Sequence, residues 1–300
     1  MSASKPRRIL SIDGGGLRGI VPAMVIDKIE SVKGKPISEL FDVVVGTSTG
    51  GIIACCLKYG YSGKDIVNMF KTYGYTIFPR TPMTPIKGLF FAKYSSSGLR
   101  ELLTKYLADA KLSDPGEIEI IVPAYDLDRR CPIIFRSTRA AHNRRYDFCL
   151  DDIAMATSAA PTYFEPAYIY SIDGSGYKCI DGGVYANNPA MVGYVAEVSR
   201  LKNRDDFLVV SLGTGRAWTP AKLGGWGLSS WIRPLLDVIS DGIGDTVSYE
   251  LGQLLPRGRY YRLQATMNHK LDDISVLDRS VEYVDSIVKS HEFEMVCEAL

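Results

Sequence analysis

The sequence predicts an α/β fold with a mostly parallel central sheet covered by helices on both faces. Three observations carry this expectation. Strand-type and helix-type patterns alternate from the first residues, two glycine-rich turns each join a strand to a helix, and neither repeats nor a low-complexity linker interrupts the alternation. A chain of 300 residues suits one large domain, residues 1–300.

Taken in order, Arg7–Asp13 is a buried-strand pattern, and Gly19–Val32 carries Val21, Met24, Val25 and Ile29 at helical spacing. Phe41–Val45 is a second β-branched strand, followed by the apolar helical run Ile52–Leu57. Lys64–Tyr73 and Gly98–Ala108 read as helices, Glu117–Pro123 and Pro132–Ser137 as strands, and Leu150–Ser158 as a helix that ends near Pro161. Ala167–Ile172 and Tyr177–Ile180 flank Asp173-Gly174-Ser175-Gly176, a hairpin signal. Pro189–Arg200 is a helix and Phe207–Leu212 a strand. The last third adds a long helix over Leu235–Leu255, a strand at Tyr260–Gln264 and one helix over Val281–Ala299.

Bulk properties exclude several classes. The net charge of +1 gives no global field that would select a nucleic acid polymer. No secretory leader pattern and no run of 18 apolar residues is present, so the protein is expected in the cytoplasm, touching membranes only peripherally. The six cysteines show no framework spacing and read as reduced thiols. Three histidines, none near a cysteine pair, and no acidic calcium loop argue for no metal and no cofactor.

Chemistry concentrates in short segments. Gly46-Thr47-Ser48-Thr49-Gly50 is a G-x-S-x-G between a strand and a helix. A serine there sits on a tight turn that lifts its Oγ from the backbone, and Gly46 and Gly50 relieve the crowding of strand against helix. The plainer reading is a glycine-rich turn with an incidental serine. Asp13-Gly14-Gly15-Gly16-Leu17-Arg18-Gly19 is the second strand-to-helix turn. Its successive N–H groups suit an oxyanion. Gly14, Gly16 and Gly19 also satisfy the dinucleotide-binding spacing, for which the acid would be Asp42; yet Asp42 starts the second strand instead of ending it.

A nucleophilic serine needs a base. His142 lies in an arginine-rich stretch, His269 in a polar loop and His291 in a surface-type helix, so none is convincing. Asp181 follows the strand Tyr177–Ile180 and opens Asp181-Gly182-Gly183, and partial desolvation would raise its basicity. Asp173-Gly174 is a decoy in the hairpin turn, and Asp181-Gly182 read alone also fits a turn.

DGGGLRG, GTSTG and DGG, in this order, resemble the patatin-like phospholipases, over Arg7 to Val198 well and more loosely to Gln264. The resemblance implies a three-layer α/β/α sandwich and a lipid acyl hydrolase of phospholipase A type, acting without calcium. It implies Ser48 as nucleophile, Asp181 as base, and an oxyanion hole from the backbone around Gly14, Gly15 and Gly16, with Arg18 shaping the loop. It also sets Ala159-Ala160-Pro161 and Phe164 in a pocket wall. The rival class is a nucleotide- or phosphate-binding protein whose glycine loop holds a ligand while Ser48 does no chemistry.

Three acid-free stretches qualify as surfaces. From Ile66 to Arg100, Lys71, Arg80, Lys87 and Lys93 alternate with aromatics such as Tyr75, Phe78, Phe90 and Tyr94, which suits a membrane-contacting cap or a loop packed on itself. Trp218, Trp226 and Trp231 share a second stretch with Arg216, Lys222 and Arg233. Arg129, Arg130, Arg136, Arg139, Arg144 and Arg145 form a third, either a solvated face or a phosphate site. The segment from Trp231 through Asp241-Gly242 and Tyr249 to Pro256 resembles bacterial patatin-like phospholipases of antiphage defence. That likeness implies a cyclic nucleotide activator and homo-oligomers that meet membrane phospholipid.

Overall fold

The computed structural model describes residues 5–77, 92–202, 206–216 and 234–300. The three tryptophans and most of the basic aromatic loop, residues 78–91, lie outside these. Among the described residues no helix is long and apolar enough to cross a membrane.

One eight-stranded sheet organises the chain. Its centre is parallel: β1 (Arg7–Ile12), β2 (Val43–Gly46), β3 (Glu119–Asp126), β7 (Phe207–Leu212) and β8 (Tyr260–Leu263), in the order β3-β2-β1-β7-β8. β4 (Cys131–Arg136), β5 (Ala167–Tyr170) and β6 (Gly176–Asp181) add antiparallel pairings at one end only. The parallel strands are continuous apolar runs because both of their faces are covered. Leu10, Ile12, Val44 and Val210 face one buried core, while the alternating Ile9, Val43, Val45 and Val209 face the other.

The larger core packs α1 (Ile20–Lys33), α2 (Ile37–Leu40), α3 (Thr49–Tyr59), α4 (Gly63–Ile77), α5 (Ser97–Leu107) and α7 (Leu150–Ser158), with the one-turn α6 (Ser137–Ala140) beside β4. The smaller core packs α9 (Ala190–Leu201) and α10 (Pro234–Leu254), preceded by the one-turn α8 (Gly183–Ala186). This is the three-layer arrangement that the alternation predicts. The expected C-terminal helix is instead two, α11 (Ser275–Val288) and α12 (His291–Ala299). The break falls at Ser290, whose Oγ accepts the Phe293 N–H at 3.2 Å and so caps the second helix.

A single pairing detail fixes the site. Ile121 of β3 pairs with both Val45 of β2 and Arg136 of β4, and Ala124 pairs with both Ile133 of β4 and Asp181 of β6. β4 therefore occupies one edge of β3, and β2 and β6 share the other. They run in opposite directions, so their C-terminal ends converge, with Val45 and Asp181 opposite β3 residues three apart, about 10 Å.

The arginine stretch does not form one face. Arg129 pairs with Asp126 at 2.6 Å and lies over the Tyr177 ring. Arg136 turns inward, 2.9 Å from Glu119 and 3.2 Å from Glu197. Glu197 is fully buried on α9 and is also held by Arg7 and Arg200. Removing one partner of such a cluster strands the others in low dielectric. Glu197→Ala is expected to lower unfolding free energy by about 3–5 kcal/mol in urea titration; a loss below about 1 kcal/mol would show that the arginines find other partners.

Candidate active site

The convergence of β2 and β6 brings Ser48 and Asp181 together. Ser48 Oγ donates to Asp181 Oδ2 at 2.6 Å. Ser48 stands between β2 and α3 with φ 55° and ψ −124°, a strained backbone conformation for a side-chain-bearing residue. The surroundings hold it there. Thr157 Oγ1 on α7 accepts the Ser48 N–H at 2.9 Å and donates to Pro123 O at 2.7 Å, and Thr47 Oγ1 donates to Ala186 O at 2.6 Å. A Cβ on Gly46 would stand 2.0 Å from Gly50 O, and one on Gly50 would stand 2.2 Å from Ile12 O. The elbow therefore closes only with glycine at both positions, and the α3 N-terminus adds a positive dipole end beside the hydroxyl.

Asp181 is buried, and among the described residues no cation pairs with it. Its Oδ1 accepts the Gly183 N–H at 2.7 Å, and its own N–H donates to Ala159 O at 3.0 Å. Burial raises its pKa from 3.8 to about 6, with the Ser48 and Gly183 hydrogen bonds opposing the rise. Asp173 is the contrast: it is held below its ordinary value by hydrogen bonds from Ser171 and Ser175 in the hairpin turn. A hydroxyl hydrogen-bonded to a carboxylate of raised basicity can lose its proton as it attacks an electrophile.

The glycine loop lies beside this pair. The Gly14 N–H is committed to Asn187 O at 3.1 Å, so Gly14 serves by its missing side chain: a Cβ there would stand 2.5 Å from Asn187 Oδ1 and 3.1 Å from Ser48 Cβ. Among the described residues the Gly15 and Gly16 N–H groups have no hydrogen-bond partner. Arg18 braces the loop, its Nε donating to Gly15 O at 3.3 Å and its Nη1 to His269 O at 3.4 Å. The Leu17 N–H donates to Leu271 O at 2.8 Å. Asp13 is buried, and Arg262 of β8 donates to both of its carboxylate oxygens, the Oδ1 contact at 2.9 Å.

An apolar pocket opens over Ser48, lined by residues that include Leu17, Ile52, Phe70, Ala160, Pro161 and Phe164. Ala159 is buried. None of the histidines hydrogen-bonds Ser48. His269 is held by Asp273 at 2.9 Å and Tyr283 at 2.8 Å, while His142 and His291 are exposed. The dinucleotide reading fails on geometry. Asp42 precedes β2, at the opposite end of the strand from the glycine loop, and its carboxylate accepts the Arg8 N–H at 2.7 Å. Sequence reasoning missed Thr157, Asn187 and Arg262; only Asn187 stood near a motif. Among the described residues no cluster of three or more His, Cys, Asp or Glu could hold a metal ion.

The raised pKa of Asp181 has a stability consequence. The folded state favours the protonated carboxyl, so this contribution is full below about pH 3.8 and is lost as pH rises through about 6. Asp181→Asn should therefore stabilise the fold at pH 8, by about 1–3 kcal/mol, and change it little at pH 3.5, in paired denaturation curves. A variant destabilised at pH 8 would show that the ionised carboxylate is not strained by burial.

Residues 10–194, more than half of the chain, match the family model described as Patatin-like phospholipase. The chain is 33% identical to "Patatin-like protein 2" of Arabidopsis thaliana over 333 residues, covering 94% of this chain and 81% of the relative. It is 32% identical to "Probable inactive patatin-like protein 9" of the same plant, covering 88% and 76%. In fold it is similar to the crystal structure of VipD from Legionella pneumophila, with TM-score 0.50 and 14% identity over 99% of this chain and 68% of that one. Motifs, topology and relatives agree: this chain belongs to the patatin-like phospholipase family, whose chemistry is the hydrolysis of lipid esters.

Proposed function

We propose that the protein is a phospholipase of A type in which Ser48 attacks the acyl carbonyl and Asp181 takes the proton. The observation that carries this reading is the 2.6 Å hydrogen bond between the two at a strained elbow beneath an apolar pocket. As Ser48 Oγ bonds to the carbonyl carbon, its proton passes to Asp181 and the carbonyl electron pair moves to oxygen. The Gly15 and Gly16 N–H groups stabilise that oxyanion. Collapse expels the lysolipid alkoxide, which takes the proton from Asp181. Water, deprotonated by the same carboxylate, then attacks the acyl carbon; the Ser48 Oγ–acyl bond breaks, Oγ takes the proton back from Asp181, and the fatty acid leaves. The pocket over Ser48 receives the acyl chain, and contact with the membrane is peripheral.

Ser48→Ala and Asp181→Asn are each expected to lower kcat/KM on phospholipid and p-nitrophenyl esters by at least about 10³-fold, and the double variant should be no worse. Alanine at His142, His269 or His291 should leave the chemical step in place. Because only the Asp181 carboxylate accepts a proton, kcat/KM should be level above pH 7 and fall about tenfold per unit below the pKa of about 6. Retained activity in Asp181→Asn, or a profile flat down to pH 4.5, would remove Asp181 from the role of base.

Control by a cyclic di- or oligonucleotide, acting through homo-oligomers, is a second part of the proposal. Its support is the run Arg139, Arg144 and Arg145, which stays near the surface while Arg129 and Arg136 are spent on carboxylates. An activator must bind the competent state better than the idle one. Cyclic di- and trinucleotides should then raise the hydrolysis rate and the mass seen by light scattering. A protein fully active alone, unmoved in rate and size by every nucleotide, would end this part and leave the hydrolase reading intact.

A further inference from the structure

A second cavity, of about 480 Å³, adjoins the apolar pocket and shares Arg18, Asn187 and Ser240 with it. Its place follows from topology. On one side of β1 the order runs to β2 and β3, and on the other to β7 and β8, so the order reverses between β1 and β7. Ligands of open α/β sheets bind outside the carboxyl ends of the strands at such a reversal. The cavity lies there: Asp13 follows β1, Arg216 follows β7, Lys270 follows β8, and α10 supplies Asp241 and Asp245. The glycine loop is the partition, with Gly15 and Gly16 lining the apolar side and Asp13 the polar side.

The two sides differ in chemistry. The pocket over Ser48 offers hydrocarbon. The second cavity offers cations, Arg216 and Lys270, and anions, Asp241 and Asp245. Arg262 also lines it but is committed to Asp13 and, at 2.7 Å, to Ser211, so it forms a fixed floor. Arg216 and Asp245 pair at 2.9 Å with 58% and 59% of their side chains exposed. Such an exposed, solvent-screened pair contributes little, so each partner can turn to an incoming ion at small loss.

We propose that this cavity receives a zwitterionic phosphodiester headgroup of the substrate, its phosphate against Arg216 and Lys270 and its ammonium against Asp241 and Asp245. The proposal rests on the phospholipase reading above. A phospholipid changes from hydrocarbon to charge at its ester, and the protein changes from an apolar to a charged cavity at the loop beside Ser48. A headgroup with phosphate alone would bring no ammonium to Asp241 and Asp245. Discrimination against anionic lipids follows.

The test uses mixed micelles in an uncharged detergent, which hold the interface constant. Phosphatidylethanolamine and phosphatidylglycerol with identical chains are compared, with p-nitrophenyl butyrate as the reference ester. Wild type should prefer phosphatidylethanolamine by about tenfold in kcat/KM, the size of one charge contact made or opposed. Asp245→Asn, which removes an anion and releases Arg216, should narrow that preference to about twofold. Lys270→Glu should lower the ratio of phospholipid to reference-ester hydrolysis about tenfold for both lipids. Glycerophosphoethanolamine, the deacylated product, should inhibit competitively. Ratios unmoved in both variants, or a soluble headgroup that activates or binds without competing, would overturn the headgroup site. Unimpaired reference-ester hydrolysis in Ser48→Ala would instead overturn the phospholipase reading beneath it.

Discussion

β2 and β6 share one edge of β3 and run toward each other until their C-terminal ends meet. Every later feature of the site answers to this convergence. It sets a serine at the end of one strand and an aspartate at the end of the other, without a histidine between them. It also crowds backbone against backbone, which is why the chain needs glycine at 46, 50 and 182; a Cβ on Gly182 would stand 2.3 Å from Pro123 O. Pro123 is one of the two β3 residues between the paired positions, and its carbonyl also takes the Thr157 hydroxyl that anchors the elbow. One strand edge thus positions Ser48, Asp181 and the helix behind them.

The arrangement stores unfavourable free energy in two places. The Ser48 backbone conformation costs on the order of 1–3 kcal/mol, and the ionised Asp181 carboxylate sits in a site that prefers it neutral. Neither can relax, because rigid neighbours over-determine both. Thr157 fixes the elbow, Gly183 fixes the carboxylate, and two continuous apolar cores hold the parallel strands from either face. A carboxylate tuned by desolvation, with no cation paired to it among the described residues, stays basic enough to accept a hydroxyl proton while still ionised at neutral pH.

The three motifs were legible in sequence because each is local. Glycine, serine and aspartate at strand ends obey turn chemistry that spans fewer than eight residues. Element type was legible from periodicity for the same reason, although Ser290 was read as helix interior and proved to be a cap. What escaped was long-range. Arg262 reaches Asp13 across 249 residues, and Leu271 meets the glycine loop across a similar span. The arginine-rich stretch misled for the complementary reason. A run of like charges in sequence is divided in space by strand alternation, so Arg136 turned into a buried ion cluster while its neighbours stayed outside. Asp42, at the right separation for a nucleotide site, precedes its strand, as the sequence already indicated.

The contacts of Arg262 and Leu271 with the glycine loop also bear on the order in which the chain is made. Ser48 and Asp181 are made well before Arg262, which holds Asp13, and Leu271, whose carbonyl clamps Leu17. Domains assemble from the N-terminus during synthesis. A nascent chain therefore carries the Ser48–Asp181 pair while the glycine loop beside it is still unsupported. The glycine loop reaches its braced form only once β8 and the segment that follows it have been made and have docked.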